Sequence, residues 1–367
     1  MTGILSINWL KSVTNTEATF HQLAPYIGRM KSSMASQIIR TFTHPADIIY
    51  EPFCGAGTAA LEAWIAGRHV IANDLNPYAY VLTKGKLFPY PTVDEALDDI
   101  ERLHGIVQTV SNGVDLTVVP TWVRRFFHPR TLREAIAWSK VLRQHRSNFL
   151  LSCLLGILHH QRPGFLSFPS SHSVPYLRGN NFPRQYYPEL YGYRAVKKRL
   201  RKKVLLAYRR PPELNPQVLR RCYRRDAATF IPPAEVTAII TSPPYMRQLD
   251  YARDNRLRLW FLGINRWEPL DSRLSLSEGA FIQLFRSCLR AWHKVLPAKG
   301  ICMLVLGDAF CRSYKANLPD VAVHIATKEV GGYSLVCMHA DEIPTLRRVR
   351  RSLRGSVAET VLVLRRS

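Results

Sequence analysis

Short apolar runs set off by glycine alternate with stretches of helical spacing at both ends of the chain. Ile48-Ile49-Tyr50 reads as a buried strand, Thr58 to Ala66 as a helix opening on Gly57, and His69 to Ala72 as a second strand. That order is a β-turn-α-β unit. Further on, Val236 to Ile240 and Ile301 to Leu306 have the continuous apolarity of strands covered on both faces, and Ala280 to Leu296 between them repeats with helical period. Strands alternating with helices predict an α/β fold with a mostly parallel sheet. Tyr333 to Met338 and Glu359 to Leu364 are strand-length runs that predict a C-terminal antiparallel hairpin on it.

The middle of the chain reads differently. Arg124 to Gln144 and Asn148 to His159 have helical periodicity, whereas Pro163 to Tyr193 is rich in Pro, Ser, Tyr and Arg without a clear period. The expected organisation is a first unit over 1–90, an inserted helical and irregular region over 91–218, and a returning unit over 219–367. Within the insertion, Arg194 to Arg210 carries nine Lys or Arg and no acid, with Val196, Leu200, Val204 and Leu205 spaced as one apolar helical stripe. Lys197, Lys198, Arg201 and Lys202 then form either a solvated face or a phosphate-tracking one.

Charge sharpens that choice. The 367 residues hold 51 Lys plus Arg against 27 Asp plus Glu, a formal net charge of +24, and 47% hydrophobic residues. A core of ordinary size is expected, and so is a polyanionic partner. Met1 to Val13 lacks the pattern of a secretory signal, and the longest apolar stretch, Phe149 to Leu158, is about half of what a bilayer requires. The seven cysteines include no CxxC pair, and His159-His160 has no partner ligands at metal spacing. A cytoplasmic, nucleoid-associated protein with reduced thiols and no metal is expected.

Glu51-Pro52-Phe53-Cys54-Gly55-Ala56-Gly57-Thr58 joins the first strand to its helix. Glycines there let the backbone approach a ligand, and the helix start presents free N–H groups. The third glycine of a dinucleotide loop and the Gly-Lys of a phosphate loop are both missing, which suits a nucleoside-type ligand without a pyrophosphate. After the second strand, Asn73-Asp74-Leu75-Asn76-Pro77 gives Asp74 two readings, a ribose-binding carboxylate or a helix N-cap before Pro77; the upstream loop favours the first. Thr241-Ser242-Pro243-Pro244-Tyr245 follows the VTAII strand, where two prolines end the strand and hold a rigid loop at the carboxyl edge of the sheet.

Together EPFCGAGT, NDLNP and TSPPY resemble the S-adenosylmethionine-dependent DNA methyltransferases that act on exocyclic amino groups of cytosine or adenine. YIGRMK (26–31), RRDAATF (224–230) and LDYARDNRLRLWFLG (249–263) are similar to further family segments, so the likeness extends over most of 20–90 and 219–365. It implies a Rossmann-like methyltransferase fold, S-adenosylmethionine as cofactor, and double-stranded DNA with a flipped base as substrate. Phe53, Gly55 and Gly57 would line the methionine end, Asp74 the ribose and Asp226 the adenine amino group, with an N-cap as the other role for Asp226. Glu51 stands where the family more often has Asp. Tyr26 and Lys31 fall near the methionine carboxylate, and Asp250, Tyr251 and Arg253 either contact the target strand or brace the catalytic loop.

The chemistry also follows from the residues. An exocyclic base amine is a poor nucleophile because its lone pair is delocalised into the ring. Acceptors such as the Ser242 hydroxyl and the Pro243 carbonyl, aimed at its hydrogens, free that pair, while Pro244 holds the loop and Tyr245 offers a face for an extruded base. Ser before Pro-Pro-Tyr is similar to the cytosine-N4 members, and Asp is commoner in the adenine-N6 members, so cytosine N4 is the expected target and adenine N6 the alternative. No Pro-Cys pair exists for ring-carbon methylation. Region 91–218, with Pro163-Gly164-Phe165, Tyr176 to Asn181 and Tyr186-Tyr187, is the expected target-recognition region. The Arg347 to Arg354 tail is expected on phosphates. A cognate restriction endonuclease is a possible partner, and a fold that binds nucleic acid without catalysis is the reading from a different class.

Overall fold

A computed structural model of the chain describes residues 16–160, 164–171, 174–244, 246, 249–342 and 358–367. Met1 to Val13, Pro163, Tyr245 and the Arg347 to Arg354 tail lie outside them. The strands are β1 (Ile48–Glu51), β2 (His69–Asn73), β3 (Arg220–Tyr223), β4 (Ala238–Thr241), β5 (Ile301–Gly307), a small pair β6 (Phe310–Cys311) and β7 (Ala316–Asn317), then β8 (Tyr333–Glu342) and β9 (Ala358–Arg366). Seven of them form one sheet in the order β3-β2-β1-β4-β5-β9-β8. β1 to β5 run parallel, and β9 enters antiparallel between β5 and β8. The expected α/β class and the C-terminal hairpin are both present. This strand order, with a single reversed strand next to the edge, is the Rossmann-like methyltransferase architecture.

The helices are α1 (Ser32–Phe42), α2 (Thr58–Ile65), α3 (Pro77–Leu87), α4 (Val93–Asn112), α5 (Thr121–Arg124), α6 (Pro129–Gln144), α7 (Asn148–Gly156), α8 (Val196–Ala207), α9 (Tyr251–Asp254), α10 (Arg256–Phe261), α11 (Glu268–Leu274), α12 (Glu278–Val295) and α13 (Leu318–His324). Successive strand residues point to opposite faces, so each face builds its own core. Tyr50, Ile71, Ile239, Cys302 and Leu304 meet the Phe281, Phe285, Leu289 and Trp292 stripe of α12 and the apolar side of α13. Ile49, Val70, Ile240 and Met303 face the other way, into α1 to α3. Leu103, Trp138, Phe149 and Leu200 of region 91–218 join that same second core.

Three expectations shift. The helix expected from Arg124 starts at Pro129, because His128 is extended (ψ 138°) and proline, lacking an N–H, suits the first turn of a new helix. The strand expected from Val236 begins at Ala238. In α8 the buried stripe is Val196, Leu200, Val204 and Ala207, whereas Leu205 is 52% exposed. Leu205 sits one residue, about 100°, beyond Val204 and so leaves the stripe. No helix among the described residues is long and apolar enough to cross a membrane.

Candidate active site

Because β1, β2 and β4 are parallel neighbours, the loops that leave their carboxyl ends converge. They enclose a cavity of about 320 Å³. Tyr26, Glu51, Phe53, Gly55 and Asp74 line it from the first part of the chain, and Asp226, Ser242 and Pro244 from the last. Residues separated by more than 200 positions in sequence are thereby brought to one site. Pro243 is buried and does not line it, and Tyr245 lies outside the described residues.

The cofactor loop is held from three sides. Gly55 has φ +48°, a left-handed conformation, and a Cβ there would stand 3.3 Å from the Tyr26 ring. Its N–H donates to Asp74 Oδ2 at 2.8 Å, while Asn76 N–H donates to Oδ1 at 2.8 Å. Asn73, fully buried, donates from Nδ2 to Pro52 O (3.2 Å) and Arg225 O (3.0 Å) and accepts from Arg225 N (2.9 Å). Phe53 N–H donates to Thr241 Oγ1 at 3.3 Å, which ties the glycine loop to the residue before Ser242.

Several expected roles change once placed. Gly57 does not line the cavity. It has φ +68° and packs on α3, where a Cβ would stand 2.6 Å from Thr83 Oγ1 and 2.9 Å from Thr83 Cα. Gly57→Ala should therefore lower stability by about 2 kcal/mol, through overpacking at a strained φ, read as a drop in thermal midpoint. An unchanged midpoint would remove that packing role. The N-cap of α3 is Asn76, which accepts from Tyr78 N–H at 3.0 Å, and this disposes of the N-cap reading of Asp74. Asp226 accepts from Ala228 N–H (3.1 Å) and from Arg273 (3.2 Å) while lining the cavity, so its turn and its place at the site coexist. Glu51 accepts from Ala60 N–H at 2.8 Å inside the first turn of α2, and burial raises its pKa well above the usual carboxylate range.

Lys31 forms an ion pair with Asp341 of β8 at 2.6 Å and does not line the cavity. The basic residue that lines it from the same segment is Arg29, braced by His21 O at 2.6 Å and Glu17 at 3.3 Å. Sequence reasoning missed Arg29, two positions from Lys31 in YIGRMK, and also Arg273 and Asn73. Asp250 pairs with Arg253 at 2.5 Å, and neither lines the cavity, although Tyr251 between them does. Lys197, Lys198, Arg201 and Lys202 surround a different cleft and do not line this one.

Comparison with known proteins bears on the cofactor side of this cavity. Residues 26–112 match the family model of the D12 class N6 adenine-specific DNA methyltransferases. The matched segment contains the glycine loop, Asp74 and Arg29, and the cofactor is S-adenosylmethionine. No curated protein matches the chain. Among solved structures, TrmN from Thermus thermophilus is 14% identical with a TM-score of 0.38, over 95% of this chain and 52% of that one. The rRNA methyltransferase aviRa from Streptomyces viridochromogenes is 13% identical with a TM-score of 0.34, over 96% and 94%. A SAM-dependent methyltransferase from Methanosarcina mazei is 8% identical with a TM-score of 0.36, over 90% and 96%. The chain thus spans about half the length of TrmN.

In the matched segment, Asp74 is the buried carboxylate that lines the cavity beside the glycine loop. Burial raises its pKa to about 6, against which the Asn76 and Gly55 amides pull. Above that pH the carboxylate is ionised and accepts from both amides. A folded-state pKa raised above the unfolded value adds stability that is lost as pH rises through about 6. Cofactor binding has the opposite sign: S-adenosylmethionine affinity should fall as pH drops below about 6. Calorimetric titration from pH 5 to 8 reads this, and Asp74→Asn should bind weakly with no such step. A step that persists in Asp74→Asn would assign it to another group.

Proposed function

We propose that the protein transfers a methyl group from S-adenosylmethionine to the exocyclic N6 of adenine in double-stranded DNA. The observation that carries this reading is the D12-class match over the segment that builds the cofactor wall of the cavity, with Ser242 and Pro244 on the opposite wall. When bound, the cofactor supplies an electrophilic methyl carbon on a sulfonium. Phe53, Gly55, Asp74 and Asp226, which line the cavity, would hold it, and Arg29 would answer its carboxylate. The Ser242 hydroxyl and the Pro243 carbonyl accept hydrogen bonds from the target amino group, which turns its lone pair out of the ring plane towards the methyl carbon. The methyl group would pass from the sulfonium to that nitrogen, and the amine's surplus proton would leave to solvent. Catalysis is orientation and electrostatics, with no strong base required beforehand.

The target base is extruded to reach this site, and Tyr245 stacks on it. Region 91–218 reads the DNA sequence: Tyr176 and Tyr186 are 51% and 71% exposed, and Arg256 of α10 stacks over Tyr176 at 5.0 Å while bonding Pro175 O. Arg253 meets the target strand, with Asp250 bracing it. One residue favours cytosine N4 instead, namely Ser242 in the place where adenine-N6 enzymes more often carry Asp. The same acceptors serve either amine. Modified-base sequencing of genomic DNA from cells that express the protein separates the two. N6-methyladenine at a recurrent site is the expected result, and N4-methylcytosine there would replace it with the second reading.

A further inference from the structure

Outside the cofactor cavity, α4, α6 and α8 form a second cleft. Arg130 and Arg133 line it from α6, and Lys197, Lys198, Arg201 and Lys202 from α8. Only Glu101 and Glu134 oppose these six cations among the charged lining residues. Both acids are committed inside the protein. Glu101 pairs with Lys197 (2.5 Å) and Arg201 (2.6 Å), and Glu134 accepts from Tyr193 OH (2.5 Å) and Val196 N–H (3.0 Å). The Arg130 guanidinium lies 4.1 Å above the Tyr193 ring. Arg133, Lys198 and Lys202 are exposed and form no salt bridge among the described residues. Three neighbouring cations without an ion pair carry a self-repulsion cost that an anion relieves.

The layout selects the anion. A small phosphate compound needs donors that converge on one point, whereas here cations sit along two helices. Lys197 to Arg201 and Lys198 to Lys202 are each four residues apart, roughly 6 Å along the helix. Such a ladder suits successive phosphates of a polymer. The geometry points to the α4–α6–α8 cleft as a second contact for the phosphate backbone of double-stranded DNA, separate from the methyl-transfer cavity. It anchors the duplex without reading bases. This rests on DNA being the substrate.

The test is a salt titration of duplex DNA binding by fluorescence anisotropy, with wild type and the triple variant Arg133→Ala/Lys198→Ala/Lys202→Ala. Each phosphate contact contributes about 0.9 to the slope of log affinity against log salt, so the triple variant should lose about 2 to 3 from that slope while S-adenosylmethionine binding stays as in wild type. Lys198→Arg/Lys202→Arg should keep the slope. If the triple variant is poorly folded, Lys202→Ala alone reads a loss of about 0.9. An unchanged slope in a wild type that binds DNA overturns the second contact and leaves the proposed function standing. A variant that loses binding to an RNA duplex of equal length but not to DNA overturns it too. A wild type that binds no DNA sinks both.

Discussion

Gly55→Asp should abolish S-adenosylmethionine binding while leaving the chain folded. The substitution meets three separate obstacles. Its φ of +48° is a conformation that L side chains rarely adopt, its Cβ would press on the Tyr26 ring at 3.3 Å, and its carboxylate would enter a cavity whose nearest acid, Asp74, already bonds the Gly55 amide at 2.8 Å. A second negative charge there competes with the ligand's own acceptors and repels Asp74. Affinity should fall at least about 100-fold, roughly 2.7 kcal/mol, by isothermal calorimetry. Because Gly55 lies on the cavity surface, the thermal midpoint should move far less than in Gly57→Ala, whose conflict is with the Thr83 backbone. Wild-type affinity in Gly55→Asp would remove the glycine loop from the cofactor site.

Tyr245→Ala separates chemistry from cofactor binding. In the proposed reaction Tyr245 supplies the ring on which the extruded base stacks. Base-on-aromatic stacking is worth about 1–3 kcal/mol, so kcat/KM for DNA should drop about 10- to 100-fold. S-adenosylmethionine affinity should stay unchanged, and Tyr245→Phe should restore most of the rate, since the proposed stacking uses the ring face and not the hydroxyl. A Tyr245→Phe variant as slow as Tyr245→Ala would shift the role from the ring to the hydroxyl.

Much of the sheet was legible because buried parallel strands must be continuously apolar. β1, β2, β4 and β5 announce themselves that way, and the alternation of β8 with β9 gives the hairpin. β3 did not, because Arg220-Arg221-Cys222-Tyr223 is half-buried and paired on one side only, by β2. The helices α4 and α6 join the core of the cofactor half, a tertiary fact that helical periodicity does not contain. At the site, Asp74, Phe53 and Ser242 were legible because their chemistry is tied to fixed positions beside strand ends. Arg29 was not, since Arg29 and Lys31 are equally basic in sequence, and only the fold shows that Asp341 takes the lysine. The same holds for Arg194 to Arg210. Its nine cations predict an anionic partner, but Glu101 pairs with Lys197 and Arg201, while Arg194, Arg199 and Lys203 bond backbone carbonyls, and of the rest Lys198 and Lys202 line the α4–α6–α8 cleft and not the cofactor cavity.

The most direct measurement uses purified protein, unmethylated duplex DNA and S-adenosylmethionine bearing a trideuterated methyl group, followed by digestion to nucleosides and mass spectrometry. The account predicts trideuterated N6-methyldeoxyadenosine, absent with Gly55→Asp. Protein that binds both DNA and cofactor yet leaves every nucleoside unlabelled would contradict it.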